Sequence, residues 1–139
     1  TVPSWCKGGV RGAPEIASCC RQVFVIASQS SRAFVAHVDL ITSFGYGTGG
    51  DHRRRLGITT AGPSLVVTDL CLMQPDQTTK ELKVTSIHPG VTRATIAERT
   101  GWPVQFAEDV AQTPPPTTHE LAVLRDLLAR SAAAGAGAP

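Results

Sequence analysis

The sequence predicts a protein of the α/β class, because strand-like and helix-like segments follow one another along the chain. Apolar runs typical of buried strands occur at residues 22–27 and 65–73. Residues 82–85 alternate apolar and polar side chains, as a half-buried strand does. Helical patterns follow Gly90 and Thr117. Together these observations indicate a sheet flanked by helices.

The composition is that of one globular domain. Of the 139 residues, 42% are hydrophobic and 17% are charged, and the net charge is +2. This charge is too small, and the basic residues are too scattered, to indicate nucleic-acid binding. Apolar runs fall short of the roughly 18 residues of a membrane helix, and no signal peptide is visible. We therefore expect neither nucleic acid nor membrane as a partner.

The first sixty residues combine irregular chain with two apolar segments. Residues 1–14 are rich in glycine and proline, and a short helix could begin over residues 15–18. The run 22–27 is apolar throughout, which predicts a strand covered on both faces. The segment 33–44 fits strand or helix in part, and a strand over 38–42 is favoured. Residues 45–63 contain six glycines and are predicted to form a loop.

The stretch from Gly62 to Phe106 has the clearest plan. Its apolar run over 65–73 meets a turn signal at Pro75-Asp76, where the aspartate can hydrogen-bond its own backbone. The alternating strand over 82–85 follows, so the two form a hairpin. After Gly90 the pattern becomes helical, and Gly101 ends it.

We divide the chain into one domain over residues 1–112, a linker, a helix and a tail. Three consecutive prolines make residues 113–117 a stiff linker. The helix over 118–131 begins with the capping-box pattern Thr117-x-x-Glu120 and has a leucine face that docks on the domain or on a partner. The alanine- and glycine-rich tail, 132–139, is predicted to be disordered.

The four cysteines have no spacing typical of a metal site. Cys19 and Cys20 are adjacent, and neither Cys6 nor Cys71 forms a C-x-x-C pair. We expect reduced, mostly buried thiols in a cytoplasmic protein, with no metal. Because the chain begins at Thr1 and its only methionine is Met73, it is expected to be processed or truncated.

The loop at residues 45–50 matches G-x-G-x-x-G, with Asp69 where a ribose-binding acid could lie. A dinucleotide site also needs a crossover helix directly after the glycines, and residues 51–63 lack its apolar period. Two alternatives remain. The loop amides beside Asp51, His52 and Arg53 bind an anionic group, or the loop is an adaptable surface. For the run of three arginines that starts at Arg53, a solvated loop is favoured over a phosphate contact.

Glu15 follows a glycine-rich bend at a predicted helix start, where backbone N–H groups can hold an anion. An acidic residue in the first turn of a helix is explained equally well by its favourable interaction with the helix dipole. The four histidines are scattered, and no Ser-His-Asp order is present. His88 precedes Pro89 at a predicted strand end, so turn formation explains it at least as well as catalysis does.

Four motifs of this sequence resemble, in their order, a known family. They are Gly12–Ala17, Val67-Thr68-Asp69-Leu70, His88-Pro89-Gly90-Val91-Thr92 and Thr100-Gly101-Trp102-Pro103. They resemble the C-terminal region of the β subunit of family I coenzyme A transferases. The resemblance implies a coenzyme A transferase-like fold with an open, largely parallel sheet and flanking helices. It also implies a coenzyme A thioester substrate, no covalently bound cofactor, and an α-subunit partner in a heterodimer or α2β2 assembly.

Some details look closer to the β subunit of actinobacterial steroid ring-opening hydrolases. That likeness implies hydrolysis of a ring-bearing acyl-coenzyme A in cholesterol catabolism. The catalytic residue would lie on the α subunit or on an absent N-terminal half. The residues expected to bind the thioester are Gly12, Ala13, Pro14 and Glu15, followed in rank by Gly45, Gly47, Asp51 and His52.

Two alternatives stay open beside the hydrolase. One is the β subunit of a classical 3-oxoacid coenzyme A-transferase, and the other is a non-catalytic truncated remnant. The S-E-N-G motif that carries the family's nucleophilic glutamate has no counterpart here. Because transfer proceeds through a glutamyl thioester, this chain alone is not expected to transfer coenzyme A.

Overall fold

A computed structural model of the protein describes residues 12–136. In chain order the elements are α1 (Ala13–Cys19), β1 (Val23–Ile26), α2 (His52–Arg55), β2 (Pro63–Val67), β3 (Cys71–Pro75), β4 (Leu82–Ile87), α3 (Arg93–Glu98), β5 (Gln105–Gln112) and α4 (Thr118–Ala136). The predicted irregular stretch before residue 12 and the thiol of Cys6 lie outside the described residues.

The strands form one open sheet in the order β1-β2-β3-β4-β5. The α/β class and the open sheet with helices are confirmed. The pairs β1–β2 and β4–β5 are parallel, whereas β2–β3 and β3–β4 are antiparallel. The sheet is therefore mixed and not largely parallel as expected, because short turns join its three central strands and such turns can connect only antiparallel neighbours.

The apolar run over 65–73 forms two strands instead of one. The Thr68 hydroxyl accepts hydrogen bonds from the amides of Leu70 (3.0 Å) and Cys71 (2.9 Å), which closes a tight turn. The chain reverses there, so β3 lies antiparallel to β2. The apolar pattern could not show this break, because a single threonine hydroxyl produces it.

The turn predicted at Pro75-Asp76 joins β3 to β4. Asp76 Oδ1 accepts from the amides of Thr78 (2.8 Å) and Thr79 (2.9 Å). Its Oδ2 accepts from the Lys83 ammonium at 2.7 Å. The aspartate thus bonds its own backbone as expected, and the predicted hairpin is confirmed.

The strand favoured over 38–42 is wrong. The structure has bends and irregular chain there, and Val38, Leu40 and Ile41 are all exposed. Apolar composition predicted burial, but no strand lies alongside this segment to complete a ladder. The loop predicted over 45–63 is correct except that it contains the one-turn helix α2 and that its last residue, Pro63, begins β2.

Strand β5 was not predicted. It lies at one edge of the sheet, parallel to β4, and its Glu108 and Asp109 are exposed. Its Phe106 and Val110 pack against the core. The adjacent charges interrupt the alternation that would indicate a strand, which is why the pattern was missed.

The core lies between the central strands and α3. Its buried apolar members are Phe34, Val66, Cys71, Met73, Val84 and Ile96. Phe34 stacks on Trp102 with ring centroids 6.0 Å apart. Helix α3 begins at the predicted place, because Thr92 caps it by accepting from the Thr95 amide at 3.1 Å. Apart from Phe34, these buried residues all come from the stretch between Gly62 and Phe106, where the sequence pattern is clearest.

Helix α4 starts with the predicted capping box. Thr117 Oγ1 accepts from the Glu120 amide (3.2 Å), and Glu120 Oε2 accepts from the Thr117 amide (2.7 Å). The helix continues to Ala136, past the predicted end at residue 131, because alanine is the strongest helix former. Its leucines 124, 127 and 128 are exposed, so this face does not dock on the described part of the domain.

The cysteine prediction holds only in part. Cys71 is fully buried and its thiol is free, whereas Cys19 and Cys20 are free but exposed at the end of α1. Burial raises the pKa of the Cys71 thiol. The expectation of mostly buried thiols is thus wrong for the two residues near the surface.

Candidate functional site

Arg53 organises the glycine-rich loop. Its side chain is only 6% exposed and donates to the carbonyl oxygens of Phe44 (3.1 Å), Gly45 (2.7 Å) and Ala17 (3.2 Å). It also donates to the carbonyl (3.1 Å) and the hydroxyl (2.8 Å) of Thr60. Because Ala17 lies on α1, this guanidinium fixes the loop against that helix.

The prediction that the three arginines lie in a solvated loop is therefore wrong for Arg53 but correct for Arg54 and Arg55. Arg54 and Arg55 are exposed and pair with Asp51 at 3.7 Å and 3.2 Å. Such exposed pairs contribute little to stability. One position in the run is a structural anchor, and sequence alone does not distinguish it from the other two.

The glycine loop turns its amides inward. The Thr48 amide donates to Nδ1 of His52 (2.9 Å), the Gly49 amide to the Tyr46 carbonyl (3.0 Å), and the Gly50 amide to the Thr79 carbonyl (3.2 Å). Gly49 has φ +83°, and a Cβ there would lie 2.3 Å from the Thr79 oxygen. The loop thus packs directly on the β3–β4 turn, which requires glycine at this position.

A cavity of about 800 Å³ opens between this loop and the β3–β4 turn. Its polar border includes Lys80, Glu81 and Gln105, and the Gln105 amide donates to the Glu81 carboxylate at 2.7 Å. Trp102 also lines this cavity. Pockets of this size are typical of small-molecule and cofactor sites.

Tyr46 lies where this cavity meets two others. It also lines an apolar cavity of about 570 Å³ beside β1 and one of about 450 Å³ beside α2. Its hydroxyl donates to the Pro63 carbonyl. Burial raises the pKa of this phenol, and nearby Arg53 partly opposes the effect. The phenol thus lies at the junction of a polar and an apolar space.

A buried polar network supports the turn between β2 and β3. Gln29, 1% exposed, donates from Nε2 to the Thr100 hydroxyl (2.9 Å) and accepts at Oε1 from the Thr68 hydroxyl (2.9 Å). The backbone N–H of Gln29 donates to Asp69 Oδ1 at 2.6 Å, and this bond holds the pKa of the Asp69 carboxyl below its usual value. The Cys71 thiol also donates to Gln29 Oε1 (3.2 Å). The network joins the end of β1 to the C-terminal end of α3.

His88 extends the same network. Its Nε2 donates to the Thr68 carbonyl (2.9 Å), and its Nδ1 pairs with the Thr113 hydroxyl (2.9 Å). The Thr113 hydroxyl also pairs with that of Ser86 at 2.7 Å. Both ring nitrogens are therefore engaged in holding strand ends together, in agreement with a role in the turn.

The predicted site residues are distributed over two regions. Gly12, Ala13, Pro14 and Glu15 form the start of α1, where Glu15 is exposed. Gly45 is tied to α1 through Arg53 and borders the apolar cavity. Gly47 lines the 800 Å³ cavity.

Asp51 lines the 450 Å³ cavity, and His52 holds the loop through Thr48. The three cavities around Tyr46 are lined by residues other than those four at the start of α1. The thioester-binding role of all eight residues stays a prediction.

Sequence reasoning missed Tyr46, Lys80 and Trp102. Tyr46 is the only tyrosine in the chain and stands between two glycines, a signal that could have singled it out. Lys80 has φ +66°, which its sequence neighbours do not reveal. Trp102 joins the cavity only because the core brings the end of α3 toward the glycine loop.

In the part of the chain that the structure describes, nothing indicates a metal site or a membrane-spanning helix. Residues 12–136 contain no group of three or more His, Cys, Asp or Glu side chains placed to hold a metal ion. Of the helices described, none is both long and apolar enough to cross a membrane.

Comparison with known proteins identifies relatives of this chain. The family model described as Coenzyme A transferase matches residues 7–99. The B subunit of the 3-oxoadipate CoA-transferase of Pseudomonas knackmussii is 52% identical over 126 residues, which cover 91% of this chain and 48% of that protein. The cholesterol ring-cleaving hydrolase IpdB subunit of Rhodococcus jostii is 30% identical over 130 residues, 86% of this chain and 47% of that protein.

A solved structure is similar as well. Glutaconate coenzyme A-transferase from Acidaminococcus fermentans superposes with a TM-score of 0.76 at 27% identity. The match covers 85% of this chain and 45% of that one. This chain thus spans about half the length of the curated relatives that it matches.

Proposed function

Because this chain belongs to the coenzyme A transferase family, we propose that it contributes part of the B subunit of an enzyme that transfers coenzyme A to or from a 3-oxoacid. One observation carries the proposal, the 52% identity to the B subunit of a 3-oxoadipate CoA-transferase over 91% of the chain. The ring-cleaving hydrolase subunit reaches only 30%. The comparisons favour the classical transferase, and the steroid hydrolase prediction is not confirmed.

The absence of one motif from this sequence determines which part of the reaction we assign to other polypeptide. Coenzyme A transfer through an enzyme thioester needs a nucleophilic carboxylate, and the S-E-N-G motif that supplies it in the family has no counterpart here. The nucleophile would come from polypeptide outside these 139 residues. In this proposal the chain shapes the cavity, and an A-type subunit completes the enzyme.

The geometry near Tyr46 is compatible with an acyl thioester. A polar cavity and an apolar cavity share the wall formed by Val35, Tyr46, Leu82 and Trp102. A thioester of a dicarboxylic oxoacid has a polar end and an apolar chain, so it can use both kinds of surface. The Lys80 ammonium at the polar border would attract the free carboxylate.

A chimera tests this function. The matched segment of the Pseudomonas knackmussii B subunit is replaced by this chain, and the chimera is produced together with the A subunit of that enzyme. We expect transfer of coenzyme A from 3-oxoadipyl-coenzyme A to succinate or acetate, at a rate within about tenfold of the parent enzyme. Thioester exchange is followed by chromatography.

The matched control is a second chimera that carries the corresponding segment of the ring-cleaving hydrolase subunit. It should assemble less well or transfer more slowly, because that segment comes from a ring-cleaving hydrolase and not from a coenzyme A transferase. If the first chimera assembles but opens a ring-bearing thioester instead, the hydrolase interpretation replaces ours. If it assembles and does neither, the chain is a remnant.

A further inference from the structure

Lys80 has a backbone conformation that favours glycine. Its φ is +66°, and every other described residue with a positive φ is a glycine. This left-handed conformation is unfavourable for a residue with a Cβ. Side chains other than glycine persist there only where the surrounding structure holds them, and they cluster at functional sites. The β3–β4 turn thus keeps a lysine at a position where glycine would be less strained.

The turn that carries Lys80 is fixed by backbone hydrogen bonds. The Lys80 amide donates to the Asp76 carbonyl at 3.2 Å, and the Asp76 amide donates to the Glu81 carbonyl at 2.8 Å. The Thr79 carbonyl accepts from the Gly50 amide of the glycine loop at 3.2 Å. These bonds hold Lys80 next to the glycine loop in spite of its unfavourable φ.

The Lys80 ammonium has no carboxylate partner among residues 12–136. The structure describes two lysines, and Lys83 pairs with Asp76 at 2.7 Å. Lys80 takes part in none of the ion pairs between described residues. Its Nζ donates to the Gln77 carbonyl at 2.7 Å. Because an ammonium group has three donors, two remain for a ligand.

The carboxylates around Lys80 are bonded elsewhere. Lys80 borders both the 800 Å³ and the 450 Å³ cavity. Glu81, which borders the first, accepts from the Gln105 amide at 2.7 Å. Asp51, which borders the second, pairs with Arg55 at 3.2 Å. An anionic ligand in these cavities would therefore find the Lys80 ammonium unoccupied by a protein carboxylate.

We propose that Lys80 selects dicarboxylic acyl groups by binding the carboxylate at the end distal to the thioester. The inference rests on the proposed function and assigns its substrate preference to one residue. Leu82 and Trp102 line the same cavity and offer apolar surface to the methylene groups of the chain. An ammonium–carboxylate hydrogen bond is roughly twice as strong as a neutral one. The strained φ of Lys80 is then a loss of stability retained for substrate selection.

Competition between two thioesters tests this role. The chimera with the Pseudomonas knackmussii B subunit is assayed with 3-oxoadipyl-coenzyme A and with 3-oxohexanoyl-coenzyme A, which has the same chain length but no distal carboxylate. Lys80→Met should lower the ratio of their kcat/KM values by at least about tenfold, because only the first thioester loses a charged hydrogen bond. Lys80→Arg keeps the positive charge and should keep the ratio within about threefold.

Two kinetic results would overturn the proposal. Equal losses with both thioesters would assign Lys80 to a part that they share, such as the phosphates of coenzyme A. Unchanged kinetics of Lys80→Met would show that Lys80 does not contact the acyl group.

A binding measurement separates this inference from the proposed function. Monomethyl adipate, which has one free carboxylate, and dimethyl adipate, which has none, are titrated into the full 139-residue chain. Nuclear magnetic resonance follows the amides of Gln77 and Lys80. Monomethyl adipate should half-saturate these shifts at a concentration at least about tenfold lower, and Lys80→Met should abolish the difference. This result in a protein that transfers no coenzyme A would support Lys80 and contradict the proposed function. Transfer by the chimera without any preference due to Lys80 would do the reverse.

Thermal unfolding of the same chain tests the strain. Lys80→Gly should raise the midpoint by about 2–5 °C, because glycine adopts the left-handed φ without a Cβ. Lys80→Met is the matched control, since it keeps the Cβ, and its midpoint should stay within about 1 °C of the wild type. A lower midpoint for Lys80→Gly would show that Lys80 serves the turn itself, and would contradict its assignment to the substrate.

Discussion

At the scale of single residues, Arg53 is the side chain on which the glycine loop depends. Its five hydrogen bonds to carbonyl and hydroxyl oxygens connect α1, residues 44–45 and Thr60. An arginine can reach that many acceptors because its guanidinium presents five donors in a planar fork. These bonds hold the loop against α1 even though the loop is rich in glycine.

Arg53→Met should lower the free energy of unfolding by about 2–4 kcal/mol, because the buried Ala17 carbonyl and the partly buried carbonyls of Phe44 and Gly45 lose the guanidinium that donates to them. Urea denaturation measures the change. The control Arg54→Met removes a neighbouring exposed arginine and should change stability by less than about 0.5 kcal/mol. Equal effects of the two substitutions would contradict the anchoring role.

Gly49→Ala should lower the free energy of unfolding by about 2–4 kcal/mol. The alanine would have to keep a left-handed φ, which is unfavourable for a residue with a Cβ. Its Cβ would also lie 2.3 Å from the Thr79 oxygen. Gly50→Ala is the comparison, since Gly50 has φ +53° but no atom within 4 Å of the Cβ that an alanine would add, and a loss of about 1 kcal/mol is expected. Thermal unfolding of both variants tests the difference. A Gly50 variant as unstable as the Gly49 variant would show that the contact with Thr79 is unimportant.

At the scale of elements, the β3–β4 turn depends on one carboxylate. Asp76 binds two backbone amides and the Lys83 ammonium, and the Lys83 bond, followed by those amides, holds its pKa well below the usual value. A group whose pKa is lowered by folding stabilises the folded protein above its unfolded pKa of about 3.9. That contribution is lost as the pH falls from this value toward the lower pKa of the folded state.

Asp76→Asn should therefore reduce stability at pH 7 and flatten the loss of stability between about pH 4 and pH 2. Urea midpoints of both proteins across that range measure the effect. Asp126→Asn removes a carboxylate from a more exposed ion pair with Arg130 and serves as the control, with little change expected. Parallel pH profiles for the wild type and the Asp76 variant would contradict this assignment.

Secondary structure could be predicted where the signal is contained within a few residues. Asp76 and Thr92 form hydrogen bonds to amides two or three positions away, so the turn and the start of α3 were predictable. Strand β5 and the irregular chain over 38–42 were not predictable, because pairing with a strand distant in sequence decides whether such a segment forms a strand. The apolar run over 65–73 shows both cases, since its strand character was recognised but the reversal at Thr68 that divides it into two strands was missed.

At the scale of the whole molecule, α4 is separate from the sheet. The proline-rich residues 114–116 are exposed and precede a helix whose leucine face does not cover the described core. The last residue that ties β5 to the strand ends is Thr113, whose amide donates to the Ile87 carbonyl at 2.9 Å. The cooperative unit therefore ends close to Thr113.

A chain that stops after Thr117 should keep the stability of the sheet to within about 0.5 kcal/mol. Thermal unfolding followed by near-ultraviolet circular dichroism, through Trp102 in the core, tests this. A chain that stops before Thr113 is the contrasting variant and should be destabilised, because Ser86 and His88 lose their partner. A large loss in the longer chain would show that α4 packs on the domain.

The candidate site was predictable only in part. Glycines at 45 and 47 marked the loop, and both lie at cavity walls. The cavity itself is formed by residues from 35 to 105, and no local pattern specifies which of them meet. Arg53 shows the limit most clearly, because three consecutive arginines look alike until the fold buries one of them.

The sequence by itself determined the family, the α/β class and the strands and helices whose turns and caps are local, because those signals come from neighbouring residues. It also identified β1 as a strand from its continuous apolar run, but the cover on both faces that such a run predicts is absent in the described residues, where Phe24 and Ile26 are exposed. Only the tertiary structure decided that β1 lies at an open edge, that Arg53 is an anchor and that Tyr46 joins three cavities. Each of these depends on contacts between residues far apart in the chain, which hydrophobic periodicity does not encode.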